Sequence, residues 1–166
     1  MDLNAFDAEV LALGDALRRR GWHLASAESC TGGLIAAACT AVAGSSDWFE
    51  RGFVSYSNAA KSEMLGVEAG LIAAHGAVSE AVVRAMAEGA VRRAGVDLGV
   101  AVTGIAGPGG ATPGKPVGTV WLGLAWRDAA GSVQVQAERL QWAGDRAAVR
   151  EQTVRLALRR LRDAAT

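Results

Sequence analysis

The spacing of apolar residues changes several times along the chain, which predicts alternating helices and strands. Over residues 4–20, apolar side chains recur every three or four positions from Phe6 to Leu17, as on one face of a helix, and Gly21 ends the pattern. Runs typical of strands occupy residues 22–28, 51–57, 97–103, 117–126 and 132–140. Further helices are predicted over residues 31–43, from about residue 59, over 79–94 and over 146–163.

This order of elements favours an α/β fold built around one sheet. The strands predicted at 117–126 and 132–140 are separated by a short turn at 129–131, so they can pair antiparallel as a hairpin. We therefore expect a three-layer α/β/α sandwich with a mixed central sheet. Because no repeat, linker or low-complexity tract interrupts the pattern, residues 1–166 are expected to form a single domain.

Composition and charge limit the partners of such a domain. Hydrophobic residues make up 51% of the chain, which is enough for a proper core. The 17 Lys and Arg residues balance 17 Asp and Glu residues, so nucleic acid is not an expected partner, although a small phosphorylated ligand needs only a local site. Since the sequence has no long apolar run and no secretory signal pattern, neither a membrane nor export is expected.

Cysteine and histidine usage points to a reducing compartment and to chemistry without a metal ion. Two cysteines, Cys30 and Cys39, are too few for a disulfide framework, which favours a cytoplasmic protein. The histidines are His23 and His75, and the sequence has no CxxC or HExxH motif. No metal or other cofactor is therefore expected.

The basic residues are unevenly divided, because 15 of the 17 are Arg and only Lys61 and Lys115 are Lys. A chain that uses Arg for ordinary surface charge can keep Lys where an amine must lose its proton near neutral pH. Lys61 closes the segment Val-Ser-Tyr-Ser-Asn-Ala-Ala-Lys at 54–61, which also holds the single tyrosine, Tyr56. A neutral amine at the start of a helix could activate a serine. The alternative is a surface lysine beside a half-buried tyrosine.

The segment Ala-Glu-Ser-Cys-Thr-Gly-Gly at 27–33 lies where a predicted strand meets a predicted helix. Such turns bring ligands to the carboxyl end of a sheet and to unpaired backbone N–H groups. Ser29 is therefore a candidate nucleophile beside an oxyanion site. Two alternatives stay open: Ser29 or Thr31 only caps the helix, or Cys30 is the nucleophile, paired with one of the histidines.

The glycine-rich segment Thr-Gly-Ile-Ala-Gly-Pro-Gly-Gly at 103–110 also follows an apolar strand and could cradle a ligand. Residues 109–115 match the GxxxxGK pattern of a phosphate loop. However, Pro116 stands where that loop needs Ser or Thr, and a strand, not a helix, is predicted to follow. We therefore interpret Lys115 as an exposed loop lysine.

Two arginines, Arg146 and Arg150, begin the last predicted helix, where the helix dipole opposes positive charge. A substrate phosphate would compensate them. The alternative is pairing with Asp145, Glu151 or solvent.

These segments together resemble the C-terminal domain of the competence/damage-inducible protein CinA. The resemblance runs in order over nearly the whole chain, although residues 109–114 are atypical of the family. It is carried by the segments Ala-Glu-Ser-Cys-Thr-Gly-Gly at 27–33, Ala-Gly-Ser-Ser-Asp-Trp-Phe-Glu-Arg-Gly-Phe-Val-Ser-Tyr-Ser-Asn at 43–58, Lys61, Gly-Ala-Val-Ser-Glu at 76–80, Thr-Gly-Ile-Ala-Gly-Pro at 103–108 and Lys-Pro-Val-Gly-Thr-Val at 115–120.

The resemblance implies a metal-independent amidase of pyridine nucleotide salvage, which hydrolyses nicotinamide mononucleotide to nicotinate mononucleotide and ammonia. By position in the family pattern, Ser29 corresponds to the nucleophile, Lys61 to the base and Tyr56 to an assisting residue. The substrate is expected to meet the following residues: Thr31, Gly32, Thr103, Gly104 and, at its phosphate, Arg146.

Two broader questions stay open from the sequence. The alternative function is a non-catalytic nucleotide-binding or interaction module, which would keep the glycine-rich loops without needing Lys61. A homodimer is expected if tryptophans lie on the surface, and the candidates for such positions are Trp48, Trp121, Trp126 and Trp142.

Overall fold

A computed structural model describes residues 2–166 of the chain. It shows an α/β fold around a five-stranded sheet with strand order β2-β1-β3-β4-β5. The strands are β1 (Leu24–Glu28), β2 (Phe49–Val54), β3 (Leu98–Gly104), β4 (Thr119–Arg127) and β5 (Val133–Gln141). The helices are α1 (Asp7–Arg20), α2 (Leu34–Thr40), α3 (Asn58–Leu65), α4 (Ala69–His75), α5 (Glu80–Ala94) and α6 (Arg146–Ala165).

The sheet is mixed, as predicted. β1 pairs in parallel with both β2 and β3, while β4 pairs antiparallel with β3 and with β5. The predicted hairpin is therefore confirmed. Because β1, β2 and β3 run in the same direction, their carboxyl ends meet at one edge of the sheet, where open α/β sheets bind ligands.

The sheet is covered on both faces, which confirms the three-layer arrangement. Alternate residues of each strand point to opposite faces. In β1, Leu24 packs with α1, α2 and α6, whereas Ala25 and Ala27 pack with α5. Every residue of β1 is buried, as expected for a central strand between two helical layers.

Several element boundaries differ from the sequence-based expectation. Helix α2 begins at Leu34 instead of residue 31, because residues 29–33 form a turn around the side chain of Glu28. The short helix α4 was not predicted. Its first residue follows Glu68, which makes no side-chain capping hydrogen bond, so the sequence carries no start signal.

The tryptophan expectation is wrong at one position. Trp48 is 1% exposed and packs against Gly14 of α1, so it cannot serve as a surface contact. Trp121, Trp126 and Trp142 are partly buried against the core. The homodimer stays a prediction. Among the helices within residues 2–166, none is long and apolar enough to cross a membrane.

Candidate active site

A small cavity of about 220 Å³ opens at the carboxyl ends of β1 and β3. It gathers the three glycine- and hydroxyl-rich segments singled out in the sequence together with the start of α6. Its lining residues are Ser29, Cys30, Tyr56, Asn58, Lys61, Ala77, Val78, Thr103, Gly104, Ala106 and Arg146.

Ser29 and Lys61 meet inside this cavity. The Lys61 Nζ atom lies 3.1 Å from Ser29 Oγ, although the two residues are 32 positions apart in the chain. Both are buried, and Lys61 is only 1% exposed. A buried amine in hydrogen-bond contact with a serine hydroxyl has the geometry of a base and its nucleophile.

The surroundings of Lys61 suit a neutral amine. Its Nζ atom donates to the backbone carbonyls of Ser55 and Tyr56, each at 3.1 Å, which leaves the Ser29 hydroxyl as the third partner. A neutral amine has two N–H bonds and one lone pair, so it can donate to both carbonyls and accept the serine proton. Burial lowers the pKa of Lys61 below its ordinary value of 10.5. Within residues 2–166 no carboxylate forms an ion pair with this amine.

Local sequence explains how Lys61 reaches this position. Ser57 adopts extended backbone and its hydroxyl accepts a hydrogen bond from Ala60 N, which starts α3 at Asn58. Lys61 is then the fourth residue of α3 and lies on its buried side with Leu65. Ser57 is therefore the N-cap of α3.

Tyr56 lies at the mouth of the cavity, not beside the amine. Its side chain is 58% exposed, and its hydroxyl lies 3.4 Å from a guanidinium nitrogen of Arg146. Its backbone carbonyl is the part that contacts Lys61. The tyrosine therefore forms a wall of the site, while its peptide group orients the amine.

The turn after β1 is organised by a side chain that the sequence did not single out. Glu28 is 1% exposed, and its carboxylate accepts hydrogen bonds from the N–H groups of Gly33, Ile35 and Ala36 at 2.9 to 3.1 Å. Hydroxyl groups of Thr31 and Ser26 donate to the same carboxylate at 2.6 and 3.2 Å. The start of α2 is thus occupied by an internal anion and is closed to an external one.

This arrangement determines which backbone N–H groups near Ser29 are available as oxyanion donors. The N–H of Gly32 donates to Ser29 O at 3.1 Å, so it is already engaged. Over the part of the chain that the structure describes, the N–H groups of Cys30 and Thr31 have no protein acceptor. They are the free backbone donors next to Ser29.

The remaining predicted residues of this turn lie behind the cavity. The side chain of Thr31 is fully buried and bonded to Glu28, and Gly32 is not among the lining residues. Arg150 donates to the Thr31 carbonyl at 3.0 Å, which fixes the turn from the side of α6. Any contact of Thr31 or Gly32 with a substrate must therefore use the backbone.

Cys30 lines the cavity but has poor properties for a nucleophile. Burial, reinforced by the negative charge of Glu28, raises the pKa of the Cys30 thiol to about 12. Neither histidine lies in the cavity lining. His23 precedes β1 at the opposite end of the strand from Cys30. The geometry gives no support to a Cys–His pair.

Thr103 and Gly104, at the end of β3, form the opposite wall. The Thr103 hydroxyl donates to Ala77 O at 2.9 Å, which ties β3 to the segment before α5. A Cβ atom at Gly104 would lie 2.6 Å from a methyl group of Val120 and 2.9 Å from Thr119 O. Glycine is required there for close pairing of β3 with β4, whether or not a ligand is bound.

Arg146 is the cationic group that lines the cavity. Its guanidinium donates to Gly107 O at 3.0 Å and reaches the Tyr56 hydroxyl, so it bridges the 103–110 loop and the β2–α3 connection. In residues 2–166 neither Arg146 nor Arg150 forms an ion pair, contrary to the alternative of pairing with Asp145 or Glu151. The charge of Arg146 is therefore available to an anion in the cavity.

The GxxxxGK segment has no phosphate-loop geometry. Thr112 and Lys115 form a tight turn through two backbone hydrogen bonds, and β4 follows instead of a helix. An exposed loop lysine was predicted at position 115. The Lys115 amine instead donates a hydrogen bond to His75 O at 3.0 Å. It fastens the loop to the end of α4.

A larger cavity of about 750 Å³ lies at the other end of the strands. It is bounded by Trp22, Asp97, Trp126 and the β4–β5 turn. The described residues that line it include no serine, cysteine or lysine, so it offers no nucleophile with a base. The smaller cavity is the better candidate for an active site, because it holds a serine next to a lysine and the larger cavity does not.

Comparison with known proteins identifies the family of this chain. The family model described as "CinA C-terminal domain" matches residues 8–165. The chain is 55% identical over 140 residues to "Nicotinamide-nucleotide amidohydrolase PncC" of Enterobacter agglomerans, covering 84% of this chain and 83% of that protein. It is 53% identical over 162 residues to a "Putative competence-damage inducible protein" of Symbiobacterium thermophilum, covering 94% of this chain and 38% of that longer protein.

A solved structure gives the same result. The competence/damage inducible protein CihA from Agrobacterium tumefaciens is 42% identical, with a TM-score of 0.89, and the match covers 96% of this chain and 94% of that one. Family model, sequence and fold therefore coincide over nearly the whole length. The chain belongs to the CinA C-terminal domain family.

Proposed function

We propose that this protein is an amidohydrolase that converts nicotinamide mononucleotide and water to nicotinate mononucleotide and ammonia, a reaction of pyridine nucleotide salvage. The observation that carries the proposal is the 3.1 Å contact between the buried Lys61 amine and the Ser29 hydroxyl. The name of the Enterobacter relative supports the substrate.

In the first half of the reaction, neutral Lys61 takes the proton of Ser29 while Ser29 Oγ attacks the carboxamide carbon. The resulting ammonium keeps its bonds to the carbonyls of Ser55 and Tyr56, which stabilise the positive charge. Lys61 then gives the proton to the leaving nitrogen. Ammonia departs from the tetrahedral intermediate, and the acyl group remains bound to Ser29 as an ester. General base catalysis of this kind contributes about 10²–10⁴ in rate.

In the second half, water replaces ammonia. Lys61 takes a proton from the water, the hydroxide attacks the ester carbon, and Ser29 leaves with the proton that Lys61 returns. Both halves pass through a negatively charged tetrahedral oxygen, to which we assign the N–H group of Cys30, a residue that lines the cavity. A single such donor contributes about 2.7–4 kcal/mol in comparable acyl transfer.

The substrate occupies the cavity in one orientation under this proposal. The carboxamide lies against Ser29, the ring between Tyr56 and the wall made by Thr103 and Gly104, and the phosphate at Arg146. Arg146 is suited to this role because its guanidinium makes no ion pair with a side chain of residues 2–166.

The test measures ammonia and nicotinate mononucleotide released from nicotinamide mononucleotide by chelator-treated protein near neutral pH. Wild type should turn over, and Ser29→Ala and Lys61→Ala should each lose at least about 10²-fold in kcat. Cys30→Ala is the matched control in the same turn and should retain activity. Full activity of Ser29→Ala would exclude the mechanism.

The same assay decides the alternative. Saturable binding of nicotinamide mononucleotide by folded wild type, with no ammonia released, would select a non-catalytic nucleotide-binding module. Loss of activity in Cys30→Ala with retention in Ser29→Ala would select a thiol mechanism instead.

A further inference from the structure

The carboxylate of Glu28 is the most completely bonded charged group near the cavity, and the reaction proposed above does not use it. Five donors converge on its two oxygens: one oxygen receives Ser26 Oγ and Ala36 N, and the other receives Thr31 Oγ, Gly33 N and Ile35 N. Three of these donors are backbone groups at the start of α2.

Its negative charge has no positive side chain beside it. Among residues 2–166, no lysine, arginine or histidine forms an ion pair with Glu28. Burying an ionised carboxylate without a cation is costly unless hydrogen bonds satisfy it. A leucine or methionine of similar size would leave the three backbone N–H groups at the start of α2 without this acceptor, so the carboxylate fixes the conformation of the turn as well as filling space.

The position of Glu28 in the chain indicates that role. Its backbone ends β1, where its carbonyl accepts from Ser55 N at 2.9 Å. Its carboxylate accepts hydrogen bonds from Thr31 Oγ and Gly33 N, so the side chain of Glu28 closes the loop formed by residues 29–33. Ser29 lies inside this loop, and Ser29 N donates to Val102 O at 3.1 Å.

The neighbouring strand leaves room for this network. A Cβ atom at Gly52 of β2 would lie 2.8 Å from the Ala36 side chain and 3.0 Å from Ser26 Oγ. Both are groups that contact Glu28, through the Ala36 N–H and the Ser26 hydroxyl. The glycine therefore lets the start of α2 approach the sheet closely enough for the carboxylate to bind it.

We propose that Glu28 is a positioning residue, whose carboxylate holds the 29–33 turn so that Ser29 Oγ faces the Lys61 amine. It touches neither substrate nor reacting atoms. The inference rests on the proposed Ser29–Lys61 chemistry, but not on the identity of the amide that is hydrolysed.

Glu28→Gln is the main variant, because it keeps the size of the side chain and replaces one acceptor oxygen with an amide donor. That donor faces backbone N–H groups, so the turn must shift. A displacement of about 1 Å in a reacting group can lower the rate about 10²-fold. We expect a loss of this size in kcat per active site, with a much smaller change in KM.

Thr31 provides a milder pair of variants. Thr31→Val removes one donor to Glu28 and should lower kcat by less than Glu28→Gln. Thr31→Ser keeps the hydroxyl and should restore most of the activity. Thr153→Val is the control, because it removes another buried hydroxyl, which donates to Val149 O at 2.7 Å within α6.

Two measurements separate positioning from general stability. The first is kcat per active site, with sites counted by a fluorophosphonate that labels Ser29. The second is the rate constant of that labelling. A merely structural role would lower the number of sites and leave both rate constants unchanged, as expected for Thr153→Val. The pH midpoint of activity should stay where it is in wild type, since Lys61 remains buried and keeps its contacts with the carbonyls of Ser55 and Tyr56.

The outcomes are distinct from those of the proposed function. Wild-type values of both rate constants in Glu28→Gln would overturn the positioning role even if nicotinamide mononucleotide is hydrolysed. Labelling of wild-type Ser29 without hydrolysis would refute the substrate, and the labelling rate of Glu28→Gln would still decide the role of Glu28. If wild type is not labelled, a crystal structure of Glu28→Gln tests the positioning role directly, because an unchanged Ser29–Lys61 distance would overturn the proposal.

If Glu28→Gln fails to fold, the same measurements are made on Thr31→Val.

Discussion

At the scale of single residues, the site depends on an amine that is buried without a counter-charge. Lys61 is surrounded by two carbonyls and one hydroxyl, a set of partners that a neutral amine satisfies completely. An arginine could not replace it, because its guanidinium stays protonated. The use of lysine at this position, in a chain whose other basic residues are nearly all arginine, follows from that requirement.

The first prediction concerns the pH dependence of activity. Because burial lowers the pKa of Lys61 below 10.5, the reactive neutral form should appear at a lower pH than for an exposed lysine. We expect kcat/KM to rise with pH through one ionisation whose midpoint lies below 10.5. Rates measured across pH check this, and the residual activity of Lys61→Ala should lack the rise. A midpoint at the ordinary lysine value would contradict it.

The second prediction is the matching effect on stability. Between the lowered pKa of Lys61 and 10.5, the unfolded chain binds more protons than the folded one. The contribution of Lys61 to the free energy of unfolding should therefore increase as pH rises through this window. Urea unfolding of wild type and Lys61→Met at several pH values isolates the effect. The free energy of unfolding of wild type, relative to that of Lys61→Met, should increase with rising pH. The opposite trend would refute burial as the cause of the lowered pKa.

Sequence reasoning singled out the residues that are proposed to react but not the side chain that supports them. Ser29, Lys61 and Tyr56 could be singled out because rare residue types stood at a strand end and a helix start. Glu28 could not, because three of its five partners are backbone N–H groups, which have no signature in the sequence. For the same reason the hydrogen bond from the buried Thr31 hydroxyl to Glu28 could not be predicted.

At the scale of elements, the order of strands and helices was predictable, whereas their packing was not. The spacing of apolar residues located each strand, and the helices predicted over 79–94 and 146–163 begin where Ser79 and Asp145 cap α5 and α6. The short helix α4 could not be predicted because no side chain caps its first turn. The apolar run at 31–43 predicted too long a helix, since a tertiary contact from Glu28 shapes its first turn.

The third prediction tests how α5 sets the position of α3, which carries Lys61. A Cβ atom at Gly89 of α5 would overlap the Leu65 carbonyl oxygen at the end of α3. Gly89→Ala should lower the free energy of unfolding by about 1–3 kcal/mol despite the better helix propensity of alanine, and should lower kcat as α3 moves. Gly70→Ala in α4 is the control, because nothing lies within 4 Å of a Cβ atom there.

Thermal or denaturant unfolding of the two variants measures this difference. Gly70→Ala should be neutral or should stabilise the protein by about 0.4–1 kcal/mol, since the same substitution meets no neighbour. Equal stabilities of the two variants would show that α5 and α3 can separate without loss, and Lys61 would then be positioned by the β2–α3 connection alone.

At the scale of the whole molecule, the cavity is assembled from segments that are far apart in the chain. The turn after β1 supplies Ser29, the β2–α3 connection supplies Tyr56, and α3 supplies Lys61. Thr103 comes from β3, and Arg146 comes from the start of α6. The parallel order of β2, β1 and β3 is what brings the first three together at one edge. The position of α6 follows from its packing over α1 and the sheet, which no local pattern specifies.

The last prediction concerns Arg146, which joins α6 to the rest of the site through Gly107 O and the Tyr56 hydroxyl. If it holds the phosphate, Arg146→Met should raise KM for nicotinamide mononucleotide by about 10- to 10²-fold, the equivalent of losing a charge-assisted hydrogen bond of about 1.5–3 kcal/mol. Hydrolysis of nicotinamide riboside, which lacks the phosphate, should change much less. Arg159→Met is the control, because Arg159 lies on the same helix outside the cavity lining and is half exposed. An equal loss with both substrates would instead show that Arg146 acts by holding the walls of the cavity together. The comparison therefore separates recognition of the phosphate from maintenance of the fold around it.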